Sequence, residues 1–161
     1  MSTLFVDNIS SKTGTAQAIE IDSSGRVLMP VKPAFHAYRN AGHVAATATI
    51  VWNEAELNQG NHFNTSTGLF IAPVAGIYHF SAFGMKVNSA DGNFGLRFIK
   101  GGAAVTGTWM FQDDGASAFM ANHISGVYSM SANETMGVEI THGSLYAISN
   151  RHNTFSGFLV G

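Results

Sequence analysis

Seven histidines and ten carboxylates are the residues of this chain with most scope for chemistry. A metal centre needs ligands that converge at short range, and the clearest sequence signs are His-x-x-x-His on a helix or a cysteine cluster. Neither spacing occurs, and cysteine is absent. His142 and His152 fall on neighbouring predicted strands, and a threefold axis can gather one histidine from each of three subunits. Scattered surface histidines are the competing reading. Asp113 and Asp114 in "FQDDGAS", with Asp91 in "NSADGN", offer carboxylates to a calcium loop, although "DDG" is more often simply a turn sequence. The reading carries no metal and no cofactor, with calcium at these loops as the one alternative.

Catalytic arrangements fare no better. Acid–base hydrolysis needs two carboxylates held across a cleft, and most of the acids here sit in apparent turns. Ser156 lies in "FSGF", which lacks the Gly-x-Ser-x-Gly elbow of a nucleophilic serine. No phosphate-cradling glycine loop is present. A non-enzymatic protein is expected.

Composition points the same way. Charged residues make up 11% of the chain, against about 25% in an average soluble domain. With 18 glycines and 12 phenylalanines, this suits an all-β protein that buries extra surface between subunits. The formal net charge of -2, without a basic cluster, removes the electrostatic footprint of a nucleic-acid binder. No apolar run reaches the length of a membrane span, so membrane insertion is not expected. "MSTLFVDNIS" has no basic region leading into an apolar run, and reads as the start of a complete chain without a classical export signal.

The elements follow from periodicity. Residues 1–31 form a light, Ser/Thr-rich arm in which "AIEIDSSGRVLMP" reads as a small hairpin about the turn "DSSG". Two strands alone are marginal in water, so the arm is expected to dock through Leu4, Phe5, Val6, Ile9, Ile19, Ile21 and Val27. Pro30 and Pro33 mark the start of a head, residues 32–161. There, strands are predicted at "AFHAY", at "ATATIVW" (46–52), over 68–72, from Ile77 to about Val87, at "FGLRFIK", over 103–111 and over 118–130, with further strands to the end of the chain. "NEAELNQGNHFN" reads as polar and turn-like. Eight to ten short, evenly spaced strands indicate a sandwich or jelly roll. In "GIYHFSAFGMKV", Tyr78, Phe80 and Ala82 take one face and Ile77, Phe83, Met85 and Val87 the other. A sandwich strand usually keeps one wet face, so a second apolar face predicts an oligomer.

These residues carry a family resemblance. "GLFIAPVAGIYHFSAF" and the closing "TFSGFLV" resemble the complement C1q-like members of the tumour necrosis factor superfamily over residues 34–161. Phe70, Pro73, Gly76, Tyr78 and Phe80 match the opening of the family's long central strand. Asn58, Gly60 and Phe63 match a polar segment upstream, and Phe155, Gly157, Phe158 and Leu159 match the closing strand. The resemblance implies a ten-strand jelly roll assembled as a tight homotrimer. Phe35, Tyr38, Tyr78, Phe80, Phe83 and Phe158 are the candidates for its core and axis. A Gly-Asp pair common in the family is Asn133-Glu134 here.

The arm, "LFVDNISSKTGTAQAIEIDSSGRVLMP", is similar to the light repeat segments of bacteriophage tail-fibre and virion-appendage proteins. Joined to a C1q-like head, this implies a phage structural protein on the virion surface. The reading favours a trimeric capsid decoration protein held on the major capsid protein by its arm. The alternative is an appendage tip that binds a host receptor or glycan through loops carrying Asp91, Asn93, Asp113, Asp114 and His142.

Overall fold

The computed structural model describes residues 6–10, 17–87, 92–113, 119–148 and 152–161. Among these residues every regular element is a strand, and no helix is long and apolar enough to cross a membrane. Strands β1 (Asn8–Ser10), β2 (Gln17–Ile21) and β3 (Val27–Leu28) form a separate antiparallel sheet ahead of the head. The head follows with β4 (Ala34–Tyr38), β5 (Val44–Ala45), β6 (Glu54–Gln59), β7 (Phe63–Asn64), β8 (Leu69–Ile71) and β9 (Gly76–Met85). Then come β10 (Asn93–Lys100), β11 (Ala103–Ala104), β12 (Met110–Asp113), β13 (Ala121–Met130), β14 (Thr135–His142), β15 (Ser144–Leu145) and β16 (Asn153–Leu159).

A five-stranded sheet in the order β13-β9-β16-β4-β6 stacks on a six-stranded sheet, β11-β10-β14-β8-β7, with β12 also on β10. A short β15-β5 ribbon stands beside them. The crossing strand order and antiparallel pairing make this a jelly-roll sandwich.

The period of two in the sequence fills the space between the sheets. Tyr78, Phe80 and Ala82 of β9 point inward and are fully buried, as are Phe94, Leu96 and Phe98 of β10 and Met136, Val138 and Ile140 of β14. Phe35 is the hub: its ring stacks on Phe63 at 4.6 Å between centroids and meets Phe155 edge-on at 4.8 Å. Such offset and edge-to-face pairs add stabilisation beyond the area they bury. Gly157 lies opposite both Phe80 and Phe35 in the register, so the rings of two neighbouring strands close over a position without a side chain.

The polar signatures have local causes. The Asn58 side chain clamps the turn ahead of β7, accepting from the Phe63 N–H at 3.0 Å and donating to the Phe63 carbonyl at 2.9 Å. Gly60 supplies the positive φ of 82° that this turn requires. Asn133 takes φ 66°, a value its short polar side chain tolerates, so it replaces a glycine without loss of the turn. Glu134 beside it accepts the Ser131 N–H at 2.9 Å and sits 3.4 Å from Lys100. The Ser131 N–H chiefly, with Lys100 assisting, holds its carboxyl below the usual range.

Two segments differ from the predicted elements. Residues 46–52 form no continuous strand: Thr47 adopts φ 64°, and only Thr49 makes an isolated bridge, to Glu139. The segment runs irregularly along β14, with Thr47 and Ile50 donating to the Ile140 and Val138 carbonyls, while Ile50 and Trp52 sink into the core. Its apolar residues alternate because alternate side chains are buried, not because a ladder forms. Conversely, the polar stretch expected to turn contains β6, which is polar because it is the exposed edge beside β4.

Candidate functional site

The outward face of the five-stranded sheet is the most unusual surface of the head. None of the strands β13, β9, β16 and β4 contains Lys, Arg, Asp or Glu. Their outward positions carry Ile77, His79, Ser81, Phe83 and Met85 on β9, Thr154, Ser156 and Phe158 on β16, and Ala34, His36 and Tyr38 on β4. Val127 on β13 and Phe158 are 59% and 46% exposed. Histidines are neighbours here without forming a ligand set: His79 packs at 5.2 Å on Phe158, and His123 pairs with the Ser81 hydroxyl at 2.8 Å. The opposite sheet behaves as a wet surface. Arg97 and Glu139 pair across it at 2.8 Å, above a cleft of about 440 Å³ lined by Thr47, Thr49, Thr67 and Thr135.

A second apolar patch borders β13. Trp109 is 60% exposed and stacks on His142 at 5.7 Å, and Phe111 meets the same imidazole edge-on at 5.0 Å. The Trp109 indole N–H donates to the Thr141 hydroxyl at 2.9 Å, which fixes the ring. Phe119, also exposed, packs edge-on against Tyr146. Trp109 and Phe111 are marked in the sequence only by the run "TWMF", in which nothing distinguishes an exposed aromatic from a core one.

Polar staples hold this end of the sandwich. The Arg39 guanidinium donates to the carbonyls of Gly42, Ala41 and Val51 at 2.9, 3.0 and 2.8 Å, and burial pushes its pKa down. Buried Asn153 accepts from the Arg39 N–H at 2.8 Å and donates to the Arg39 and Tyr146 carbonyls. Burial raises the Tyr78 and Tyr128 phenols above their ordinary value, and the Tyr78 hydroxyl donates to the Val74 carbonyl at 2.9 Å.

The predicted residues separate into several places. Phe35, Tyr78, Phe80, Phe70, Phe155 and Gly157 lie between the sheets, whereas Tyr38, Phe83 and Phe158 belong to the uncharged outer face. Pro73 and Gly76 make the corner into β9, and Leu159 is half-buried beside Gly76. In the arm, Val6, Ile9, Ile21 and Val27 are exposed and Ile19 half-buried; Leu4 and Phe5 lie outside the described residues. Asn93 opens β10 opposite Asp113 at the end of β12, while Asp91 and Asp114 lie outside the described residues. His142 packs with Trp109 and His152 with Tyr146, in different clusters. Among the described residues no three His, Asp or Glu side chains are grouped to hold a metal.

Fold and surface together define a jelly-roll module that presents an uncharged face on four adjacent strands, with no group of three metal-ligating side chains among the described residues. The family model for the C1q domain matches residues 34–160, and the chain belongs to that family. Complement C1q tumor necrosis factor-related protein 3 of Mus musculus is 29% identical over 111 residues, which is 69% of this chain and 44% of that protein. The Homo sapiens protein of the same name matches to the same extent. The chain therefore spans less than half the length of these relatives. Among solved structures, the globular domain of zebrafish complement 1qA superposes with a TM-score of 0.66 at 18% identity, covering 81% of this chain and 98% of that one. Eiger TNF from S. frugiperda gives 0.65 at 12% identity, covering 81% and 93%.

These relatives correct the expectation of a bacteriophage protein. The matched proteins are animal complement- and tumour necrosis factor-related chains, so capsid decoration, a major capsid protein partner, a tail-fibre or appendage tip for host receptor or glycan binding, and a virion-surface location are all set aside. The arm signature that suggested them is local turn chemistry. In "DSSGR", Asp22 accepts the Ser24 and Arg26 N–H groups at 2.9 Å each, Gly25 takes φ 79°, and the Arg26 side chain returns to Asp22 at 2.6 Å. Any tight hairpin can use that sequence.

Proposed function

We propose that this chain is a non-catalytic binding module that works as a homotrimer, its subunits meeting through the uncharged face that β13, β9, β16 and β4 present. The observation that carries the reading is the absence of any charged residue from the adjacent strands β13, β9, β16 and β4, whose outer positions still expose Ile77, Val127 and Phe158. A monomer keeps such a face wet with charges; large uncharged apolar patches mark association. Covering what remains exposed of these three side chains contributes about 1 kcal/mol each per subunit.

A threefold contact is heterologous, so the face must meet a different patch on its neighbour. The exposed pair Trp109 and Phe111 bordering β13 supplies that second patch. The charged sheet with its threonine-lined cleft around Arg97 and Glu139 then faces outward and is the surface on which a protein partner binds. Residues 1–31 act as an arm and 32–161 as the head.

Phe158→Glu tests the reading, because it places three carboxylates in the contact. Sedimentation velocity should show a folded monomer for this variant and an unchanged trimer for Ala103→Glu, at the exposed edge of the other sheet. A Phe158→Glu chain that sediments with the native protein refutes the assignment of the face.

A further inference from the structure

The sheet ahead of the head has two unlike sides. Ile9 pairs with Ile19 and Ile21 with Val27, and Ile19 and Ile21 share a parity, so four branched apolar side chains stand on one side. Asn8, Glu20 and Leu28 stand in register on the other. Ala18 belongs to this second side and lines, with Met29, Val31, Pro33, Val74 and Leu159, an apolar cleft of about 520 Å³ between arm and head. The arm therefore turns its Ala18–Glu20 side towards its own head and its isoleucine side away. Ile9, Ile21 and Val27 remain 50%, 38% and 61% exposed. A sheet this small needs its hydrophobic face covered to be stable, and its own head does not cover it.

The route of the chain says what does. Ala34, where the arm enters the head, is paired with Phe158 on the uncharged face. The Gln59 side chain donates to the Met29 and Pro30 carbonyls at 3.2 and 3.0 Å, and the Lys32 ammonium donates to the Val160 carbonyl at 3.1 Å, anchoring the junction at that end of the face. Three heads joined through this face deliver three arms side by side around one axis.

We infer that the isoleucine side of each arm packs against the same side of the two other copies, forming a three-sided β-prism continuous with the trimeric head. The occupant of the exposed face is a second and third copy of this chain; the inference rests on the trimer reading. The prism has an apolar interior of Ile9, Ile19, Ile21 and Val27 from each subunit, and an outer surface of Asn8, Glu20 and Leu28.

The native chain has no cysteine, so introduced thiols report without background. Ile21→Cys and Val27→Cys in the full chain place thiols inside the prism, and Glu20→Cys places one outside. A disulfide forms only where Cα atoms approach within about 7 Å. With the neighbouring arm at an effective concentration on the order of millimolar, mild oxidation of either interior variant at micromolar protein should give linked dimers about a hundredfold faster than Glu20→Cys. Sedimentation of the reduced variants establishes that the head is trimeric in the same samples. A trimer in which both interior variants link no faster than Glu20→Cys overturns the prism and leaves the head contact standing. A native chain that sediments as a monomer overturns both.

Discussion

Gly157→Ala adds one methyl group at the most crowded point of the sandwich. A Cβ built there falls against Cδ1 of Phe80, 2.7 Å from its Cε1 and 2.8 Å from Cε1 of Phe35. Ordinary carbon contacts lie at about 3.5–4.0 Å, so both rings must retreat by roughly 1 Å. Phe80 has nowhere to go: Phe70, Tyr78 and Phe155 stand 5.5, 6.1 and 6.0 Å from its centroid. Overpacking of this kind costs about 1–3 kcal/mol, and the displacement of two rings puts it near the upper end. The alanine recovers about 0.5–1 kcal/mol by restricting the unfolded chain. The net loss is about 2 kcal/mol, which lowers Tm by roughly 4–8 °C for a chain of this size. Thermal unfolding by circular dichroism at fixed protein concentration measures it, because the proposed association would make Tm concentration-dependent. Ser156→Ala, one residue away on the outer face, should stay within about 0.5 kcal/mol of the native chain. A Gly157→Ala protein as stable as Ser156→Ala would show that the rings do not close over this strand.

The remaining predictions concern other parts of the molecule. Asn153→Ala should lower stability by about 3 kcal/mol in urea titrations, since it strands the Arg39 N–H and the Arg39 and Tyr146 carbonyls in a buried site. Trp52→Phe should cost no more than about 1 kcal/mol, because the buried Trp52 indole N–H has no partner among the described residues and its removal offsets lost packing. That variant leaves Trp109 as the only tryptophan, and acrylamide should quench it weakly at assembling concentrations and strongly on dilution; quenching independent of concentration would place Trp109 outside the subunit contact. The Asp22 carboxyl is held below its ordinary value, first by the Arg26 N–H and then by the Arg26 guanidinium, with the Ser24 N–H adding to them. A depressed carboxyl stabilises the turn above its unfolded value and loses that contribution as pH falls through the folded one. The Ser24 and Arg26 amides should therefore exchange faster with solvent under acid conditions, after correction for the intrinsic rate. Asp22→Asn should abolish this transition, and its persistence in the variant would assign it to another group.

Much of the head was legible because its strands are buried on one side and patterned by it. The alternation of Tyr78, Phe80 and Ala82 against Ile77, Phe83 and Met85 predicted both faces of β9, and the partition of Met120, Ile124 and Met130 from Phe119 and His123 predicted those of β13 and its approach. What parity could not supply was which aromatic residues meet a core and which meet solvent. Phe35 and Phe158 belong to the same motif-bearing pair of strands, yet one is buried and the other 46% exposed. Residues 46–52 misled because burial of Ile50 and Trp52 imposes alternation without a ladder. Asn153 was invisible because its partner Arg39 lies far along the chain, and Arg39 because its guanidinium is held by backbone carbonyls, which any residue supplies. The arm was legible as sheet but misread in origin, since "SSGRV" records the geometry of a turn and not the ancestry of a protein.

Sedimentation equilibrium of the intact native chain, across nanomolar to high micromolar concentrations, bears most directly on the account. A single reversible monomer–trimer equilibrium, populated as trimer at micromolar protein, is the predicted result. A well-folded monomer throughout that range would mean that the uncharged face of β13, β9, β16 and β4 stays open to water, and would contradict it.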